Sequence, residues 1–155
     1  MNIIELKERA EISENAKLGE IYTQCQELLK ELRKKELPQK IIEFINHGID
    51  NINSTSLTGS ELGKLLKQEQ TKIIKLLEKE LKIVPKGYYQ NLWIALGLCV
   101  FGLPIGVVFG ISLDNMGLLG IGLPIGVAIG YVLGSRMDKK ASEEGRQLDV
   151  KAKYY

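Results

Sequence analysis

Two stretches limit what this chain can become. From Leu92 to Leu113 the sequence LWIALGLCVFGLPIGVVFGISL runs 22 residues without a charged side chain, and from Gly117 to Gly134 GLLGIGLPIGVAIGYVLG adds 18 more. A helix that crosses the hydrocarbon core of a bilayer needs about 20 mostly apolar residues. The competing reading is a hairpin buried inside a globular domain, and two features oppose it. Ten of the sixteen glycines lie between residues 92 and 134, and each glycine inside a water-exposed helix costs about 1 kcal/mol relative to alanine. The rest of the chain is also too short to cover two wholly apolar helices. The segment therefore reads as two membrane spans joined at Asp114-Asn115, a turn dipeptide.

Charge divides the chain in the same way. Residues 1–91 carry 15 Lys/Arg against 14 Asp/Glu, residues 92–134 only Asp114, and residues 135–155 six Lys/Arg and four acids. Three regions follow: a cytoplasmic helical domain over 1–87, a two-span hairpin over 88–135, and a cytoplasmic polar tail over 136–155. With a net charge of +2, nothing suggests a nucleic-acid partner. Lys79, Lys82 and Lys86 precede the first span, Arg136, Lys139 and Lys140 follow the second, and the turn has no basic residue. Positive charge stays cytoplasmic, so both termini are expected inside and the turn outside. Tyr88, Tyr89 and Trp93 then fall where an interfacial aromatic belt belongs, with Tyr131 near the exit of the second span. The N-terminus, MNIIELKERAEISEN, has charges throughout and no apolar core, so it does not read as a signal peptide.

The spans share a phrase. GLPIGV occurs at Gly102–Val107 and again at Gly122–Val127. Gly102, Gly106 and Gly110 recur every four residues, as do Gly122, Gly126, Gly130 and Gly134, and each set forms one slowly drifting smooth stripe on a helix. Lipid is as apolar as leucine, so helices in a bilayer associate by close backbone packing, which glycine permits. In a hairpin that turns at Asp114, residues whose numbers sum to 228 lie at equal depth. Gly102 then faces Gly126, and Gly106 faces Gly122. Pro104 and Pro124 sit two residues from a stripe glycine, about 200° away around the helix. Neither can bond the carbonyl four residues back, so each is expected to kink its helix. The freed carbonyl is satisfied by a local change of helix geometry, another helix or a water-filled cavity.

The first region reads as helical. Leu18, Ile21, Cys25, Leu28 and Leu32, flanked by Tyr22 and Leu29, form one helical face. Ile3, Ile4, Leu6, Ala10 and Ile12 keep a weaker version, which predicts one helix from about Ile3 to Lys35. Pro38 suits the first turn of a second helix, lined by Ile41, Ile45, Ile49 and Ile52. Thr58-Gly59-Ser60-Glu61 matches a capping box ahead of a third helix, with Leu62, Leu66, Ile73, Leu77 and Leu81 on its apolar side and Pro85 as its stop. The fold class is thus an all-α membrane protein: a cytoplasmic helical bundle or coiled-coil hairpin, plus an antiparallel transmembrane hairpin.

No catalytic, cofactor or metal constellation accompanies these elements. His47 is the only histidine, and it reads as a solvated or helix-end side chain. Cys25 and Cys99 belong to no CxxC pair, so neither a disulfide framework nor a zinc site is expected. The runs ELRKKE and LLEKELK read as solvated helix faces.

The doubled GLPIGV and the tail DKKASEEGRQLDV, over roughly residues 88–150, resemble small bacterial membrane proteins with a C-terminal glycine-zipper transmembrane hairpin. The resemblance implies a multi-pass bacterial inner-membrane protein, and its zipper glycines correspond to Gly102, Gly106, Gly110, Gly122, Gly126 and Gly130. It brings no catalytic residue. The expected function is an integral membrane interaction or scaffold protein and not an enzyme. Its hairpin self-associates in the lipid bilayer as a homo-oligomer, and its cytoplasmic helices meet a protein partner. The alternative is a small oligomeric channel or membrane-permeabilising effector. The absence of an ionisable group between the flanks, apart from Asp114 at the turn, weighs against an ion path.

Overall fold

A computed structural model describes residues 2–9, 12, 15–115, 117 and 119–151. The chain divides into two compact units, Met1–Lys86 with Leu148–Tyr155, and Gly87–Gln147. Among the described residues the fold is helical apart from one two-stranded sheet.

The first unit is a helical bundle of α1 (Ala16–Arg33), α2 (Gln39–Ser54) and α3 (Gly59–Leu81). The apolar stripes read from the sequence are its core: Leu32, Ile45, Ile49, Leu62, Leu66, Ile73 and Leu77 are all almost wholly buried. α3 packs against both other helices, and two of its polar side chains fix the arrangement. Gln70 is buried and donates from Nε2 to the Ile21 carbonyl of α1 at 3.1 Å. Glu69 is buried over Gly48 of α2, where an added Cβ would fall 3.0 Å from its Oε2. Its other oxygen accepts from Lys72 Nζ at 2.8 Å, so the buried charge is paired, as burial requires.

Three local expectations are corrected. Residues 2–9 are extended, so no helix runs from Ile3 to Lys35; α1 begins at Ala16, capped by the Asn15 side chain, which accepts from the Leu18 amide. The backbone of residues 2–9 is instead bonded by side chains of the bundle, and those bonds require an extended segment. Ala10 lies outside the described residues. Second, Thr58 precedes α3 but its side chain makes no capping bond. Gly59 takes a left-handed φ of 50°, and the Thr58 carbonyl accepts from the Glu61 and Leu62 amides. Third, Pro38 immediately precedes α2 instead of lying in its first turn. α3 ends at Leu81, and its C-cap Lys82 is left-handed at φ 55°, three residues before Pro85.

Nor is the C-terminal region a simple polar tail. A helix continues through it to Glu143, Gly145 breaks that helix at φ 68°, and Gln147–Lys151 forms a strand, β2. β2 pairs with β1 (Val84–Lys86). Leu148 and Val150 are buried while Asp149 and Lys151 are exposed, the period-two alternation of a strand with one covered face. Lys86 pairs with Asp149, and the nearby ammonium lowers the Asp149 carboxyl below its ordinary range.

The second unit is an antiparallel helix pair. Its first member runs over Tyr88–Ser112 as α4 (Tyr88–Gly97), a π-helical turn (Leu98–Gly102) and α5 (Leu103–Ser112). Its second is α6 (Leu119–Glu143). Both 25-residue runs are long and apolar enough to cross a membrane, and only 22% of the most apolar stretch of each is buried. A hairpin inside a globular core would be mostly covered. α5 closes on Asp114, left-handed at φ 50°, with the Asn115 amide donating to Gly110 and the Asp114 amide to Ile111. This is the Schellman bonding pattern, with aspartate in the place usually held by glycine. Asn115 Oδ1 then accepts from the Gly117 amide at 3.0 Å.

Candidate functional site

The site best defined by geometry is the seam between the two apolar helices. Gly102, Gly106, Gly110, Gly122, Gly126, Gly130 and Gly134 are all buried. A Cβ at Gly126 would fall 2.6 Å from the Gly102 Cα, and one at Gly122 would fall 2.7 Å from the Gly106 Cα. These are the two pairs whose numbers sum to 228. At Gly130 the Cβ would lie 2.9 Å from Ile94 Cα, and at Gly134 2.5 Å from Gln90 Cα. The helices therefore touch backbone to backbone along nearly their whole length. Gly120, two residues from Gly122, has nothing within 4 Å of its Cβ position, so the seam is one face and not a general property of glycine here.

Gly97 also belongs to the seam: it is buried, and its Cβ would fall 2.9 Å from the Gly130 Cα. Its spacing of five from Gly102 breaks the four-residue period on which the stripe was read. The π turn explains how it is brought into phase. Across Leu98–Gly102 the helix widens, and the Leu103 amide bonds the Leu98 carbonyl five residues back. A π turn absorbs one residue more than an α turn, so a glycine five positions away returns to the same face. Pro104 follows directly; it has no amide proton, and its ring would crowd the Val100 carbonyl in a regular α-helix. At Pro104 the helix changes its geometry locally, through the π turn that precedes it. Pro124 lies within α6 without interrupting it. Both prolines are exposed, off the seam.

The seam ends in a polar clasp. α4 starts after Gly87, left-handed at φ 74°, and no local side chain caps it. Asp138 of α6 supplies the cap: Oδ1 accepts from the Tyr89 amide at 3.1 Å and Oδ2 from the Gln90 amide at 2.9 Å. First-turn amides have no partner within their own helix, and the positive end of the helix dipole favours a carboxylate. Gln90 Nε2 also donates to Ser135 Oγ at 3.0 Å, and Asp138 is itself buried. Asp138 was not singled out in the sequence, although the signal was present. It continues the series 122, 126, 130, 134, and 138 plus 90 is again 228.

Tyr89 is buried, Tyr88 and Trp93 are half-buried, and the two tyrosine rings meet edge to face at 5.3 Å. Tyr131 is exposed. Lys82, Lys86, Arg136, Lys139 and Lys140 are all exposed. Lys82, Lys139 and Lys140 each approach a glutamate four positions away in the chain, at 3.4, 3.8 and 3.9 Å, contacts that contribute little in water. His47 is exposed. Cys25 is buried, and burial pushes its thiol up to about 11, which suits a core residue and not a nucleophile. Among the described residues no cluster of His, Cys, Asp and Glu could hold a metal ion.

Comparison with known proteins brought no match: no protein-family model, no curated protein and no solved structure is similar to this chain. The functional reading rests on the geometry.

Proposed function

We propose that this chain is an integral protein of the bacterial inner membrane, in which a two-span hairpin anchors a cytoplasmic helical bundle that binds a protein partner. The carrying observation is where the apolar surface goes. The glycine faces of the two helices are spent on each other, while Val100, Leu103, Val108, Ile111, Ile121 and Val132 remain exposed. Contiguous apolar surface of this extent is rare on soluble monomers, and around a pair of helices of spanning length its natural solvent is lipid. The strand before the first apolar helix pairs with the strand after the second, which supports an even number of crossings with both ends on one side. The basic flanks favour the cytoplasm as that side.

Within this reading the zipper first holds the hairpin together. Any association of copies uses the outer faces, because the glycine faces are already occupied. A channel is disfavoured on the same ground, since helices in backbone contact leave no lumen between them. Cysteine labelling of intact cells tests the topology. A single probe at Asn115 should react with an impermeant maleimide, and single probes at Lys7 or Lys151 should react only after lysis. External labelling at either terminal probe overturns the proposal.

A further inference from the structure

The side chains that hold residues 2–9 address that segment's backbone. Asn46 Oδ1 accepts from the Ile4 amide at 2.9 Å while its Nδ2 donates to the Asn2 carbonyl at 3.1 Å. Seven residues on, two turns along the same face of α2, Asn53 repeats the pattern: Oδ1 accepts from the Lys7 amide and Nδ2 donates to the Glu5 carbonyl, both at 2.9 Å. From α1, Tyr22 donates to the Leu6 carbonyl at 3.1 Å and Arg33 to the Ile4 carbonyl at 3.0 Å. Two asparagine amides thus do what a neighbouring β-strand does for an extended peptide, offering paired donors and acceptors. Side chains of the arm add to this: Arg9 donates to the Ile52 and Leu57 carbonyls, each at 3.0 Å, and to the Thr55 carbonyl at 2.7 Å. Ile3 and Leu6 are buried, and Glu5 meets Arg33 at 3.2 Å. The arm is also loosely walled. Open clefts of about 440 and 520 Å³ flank it, the first lined in part by Leu32, Leu37 and Ile42, the second by Gln26, Leu29 and Lys30.

We infer that this groove is a binding site for an extended peptide, and that residues 2–9 fill it in cis as a tethered, displaceable ligand. The occupant is a partner segment of the arm's own chemistry: an extended strand with apolar residues three apart, as Ile3 and Leu6 are, an acid between them, as Glu5 is, and an arginine three positions beyond, as Arg9 is. Backbone bonds supply affinity that tolerates sequence change, and the two apolar anchors, the Arg33–Glu5 pair and the Arg9 bonds supply selectivity. Because the arm is joined to the bundle, it competes with any incoming peptide at a high effective concentration, on the order of millimolar for a short tether. The inference deepens the partner-binding part of the proposed function and does not depend on membrane insertion. Its failure would leave the labelling result untouched.

The test uses the full chain in mild detergent with residues 2–9 deleted, and a fluorescent peptide of sequence NIIELKER as the probe. Saturable binding to the deleted protein is expected, at least about tenfold tighter than to the intact chain, whose own arm competes. Asn46→Ala with Asn53→Ala in the deleted protein should abolish it, as should Ile3→Asp with Leu6→Asp in the peptide. Equal binding to intact and deleted protein, or to the Asp-substituted peptide, overturns the inference. If the deleted protein does not melt cooperatively, a protease site placed at residues 10–14 of the intact chain allows cleavage after folding. The severed arm should then exchange with the labelled peptide, and an arm that never exchanges is a plain structural element, which also overturns the inference.

Discussion

The seam predicts that the same substitution, made six residues apart in one helix, has opposite signs. At Gly126 a new Cβ would fall 2.5 Å from the Gly97 carbonyl oxygen and 2.6 Å from the Gly102 Cα, against about 3.4 Å for an ordinary contact. Both obstacles are backbone, which cannot rotate away as a side-chain tip can. Gly126→Ala must therefore push the helices apart by about 0.9 Å, the difference between 3.4 and 2.5 Å. A radial gap of 0.5–1 Å forfeits roughly a quarter to a half of each contact's attraction. Overpacking of this kind costs about 1–3 kcal/mol. At Gly120 a Cβ meets nothing within 4 Å, so Gly120→Ala adds no clash and gains helix propensity, up to about 1 kcal/mol. The two variants should differ by about 1–4 kcal/mol, with the parent between them. Thermal unfolding in mild detergent, followed by helical circular dichroism, reads the order directly. If Gly126→Ala unfolds at or above the midpoint of Gly120→Ala, the helices do not meet on this face and the account of the seam is wrong.

Three further outcomes follow from other contacts. Asp138→Ala should lower hairpin stability by about 1 kcal/mol, within the range for losing a helix cap, and Asp138→Asn, which keeps an acceptor, by less; equal melting of both variants with the parent would show that the clasp contributes nothing. Cys25 is pushed up to about 11 from 9.0, so the unfolded thiol ionises first as pH rises. The stability linked to it is intact below pH 9 and is lost between pH 9 and about 11, by about 2–3 kcal/mol at most; urea titrations across that window should show a smaller fall for Cys25→Val, and an identical fall refutes the assignment. Leu148→Asp with Val150→Asp places two charges on the covered face of β2 and should expose the C-terminal segment to protease; unchanged digestion would mean the strand does not dock.

What was legible in the sequence was periodicity. The stripes of α1, α2 and α3, the two apolar helices and the Gly102–Gly126 and Gly106–Gly122 levels all follow from residue spacing, because a regular helix converts spacing into direction. What escaped notice breaks the period or acts at a distance. Gly97 is out of phase until a π turn absorbs one residue, and nothing in GLCVFGLP beyond the proline signals that turn. Residues 2–9 carry a plausible helical stripe, but Asn46 and Asn53 hold them extended from more than 40 positions away. Thr58 and Glu61 have capping-box chemistry, yet Gly59 adopts a left-handed conformation and the cap bond is not made. β2 was hidden for a different reason. Its alternation covers only Leu148 and Val150, too short a pattern to stand out in a charged tail.

Asp138 shows how far one register rule extends. The relation that pairs Gly102 with Gly126 continues outward to Gln90 and Asp138, where the requirement changes. Within the apolar segments, contact depends on the absence of side chains, so glycine occupies the stripe. At the start of α4 the helix has unpaired amides and a positive dipole end, so the next residue of the same stripe is a carboxylate that accepts from both the Tyr89 and Gln90 amides. A larger acid would reach beyond those amides, because Gly134, one turn earlier, already brings the backbones together with its Cβ position 2.5 Å from Gln90 Cα. The close approach permitted by glycine is therefore what lets a short aspartate bridge the two helices. Opening the seam at Gly134 should weaken the cap as well as the packing. Gly134→Ala and Asp138→Ala, combined, should then cost less than the sum of their separate effects, since the first variant already removes much of what the second one loses. Strict additivity in a double-mutant cycle would show that seam and clasp act independently, against this account.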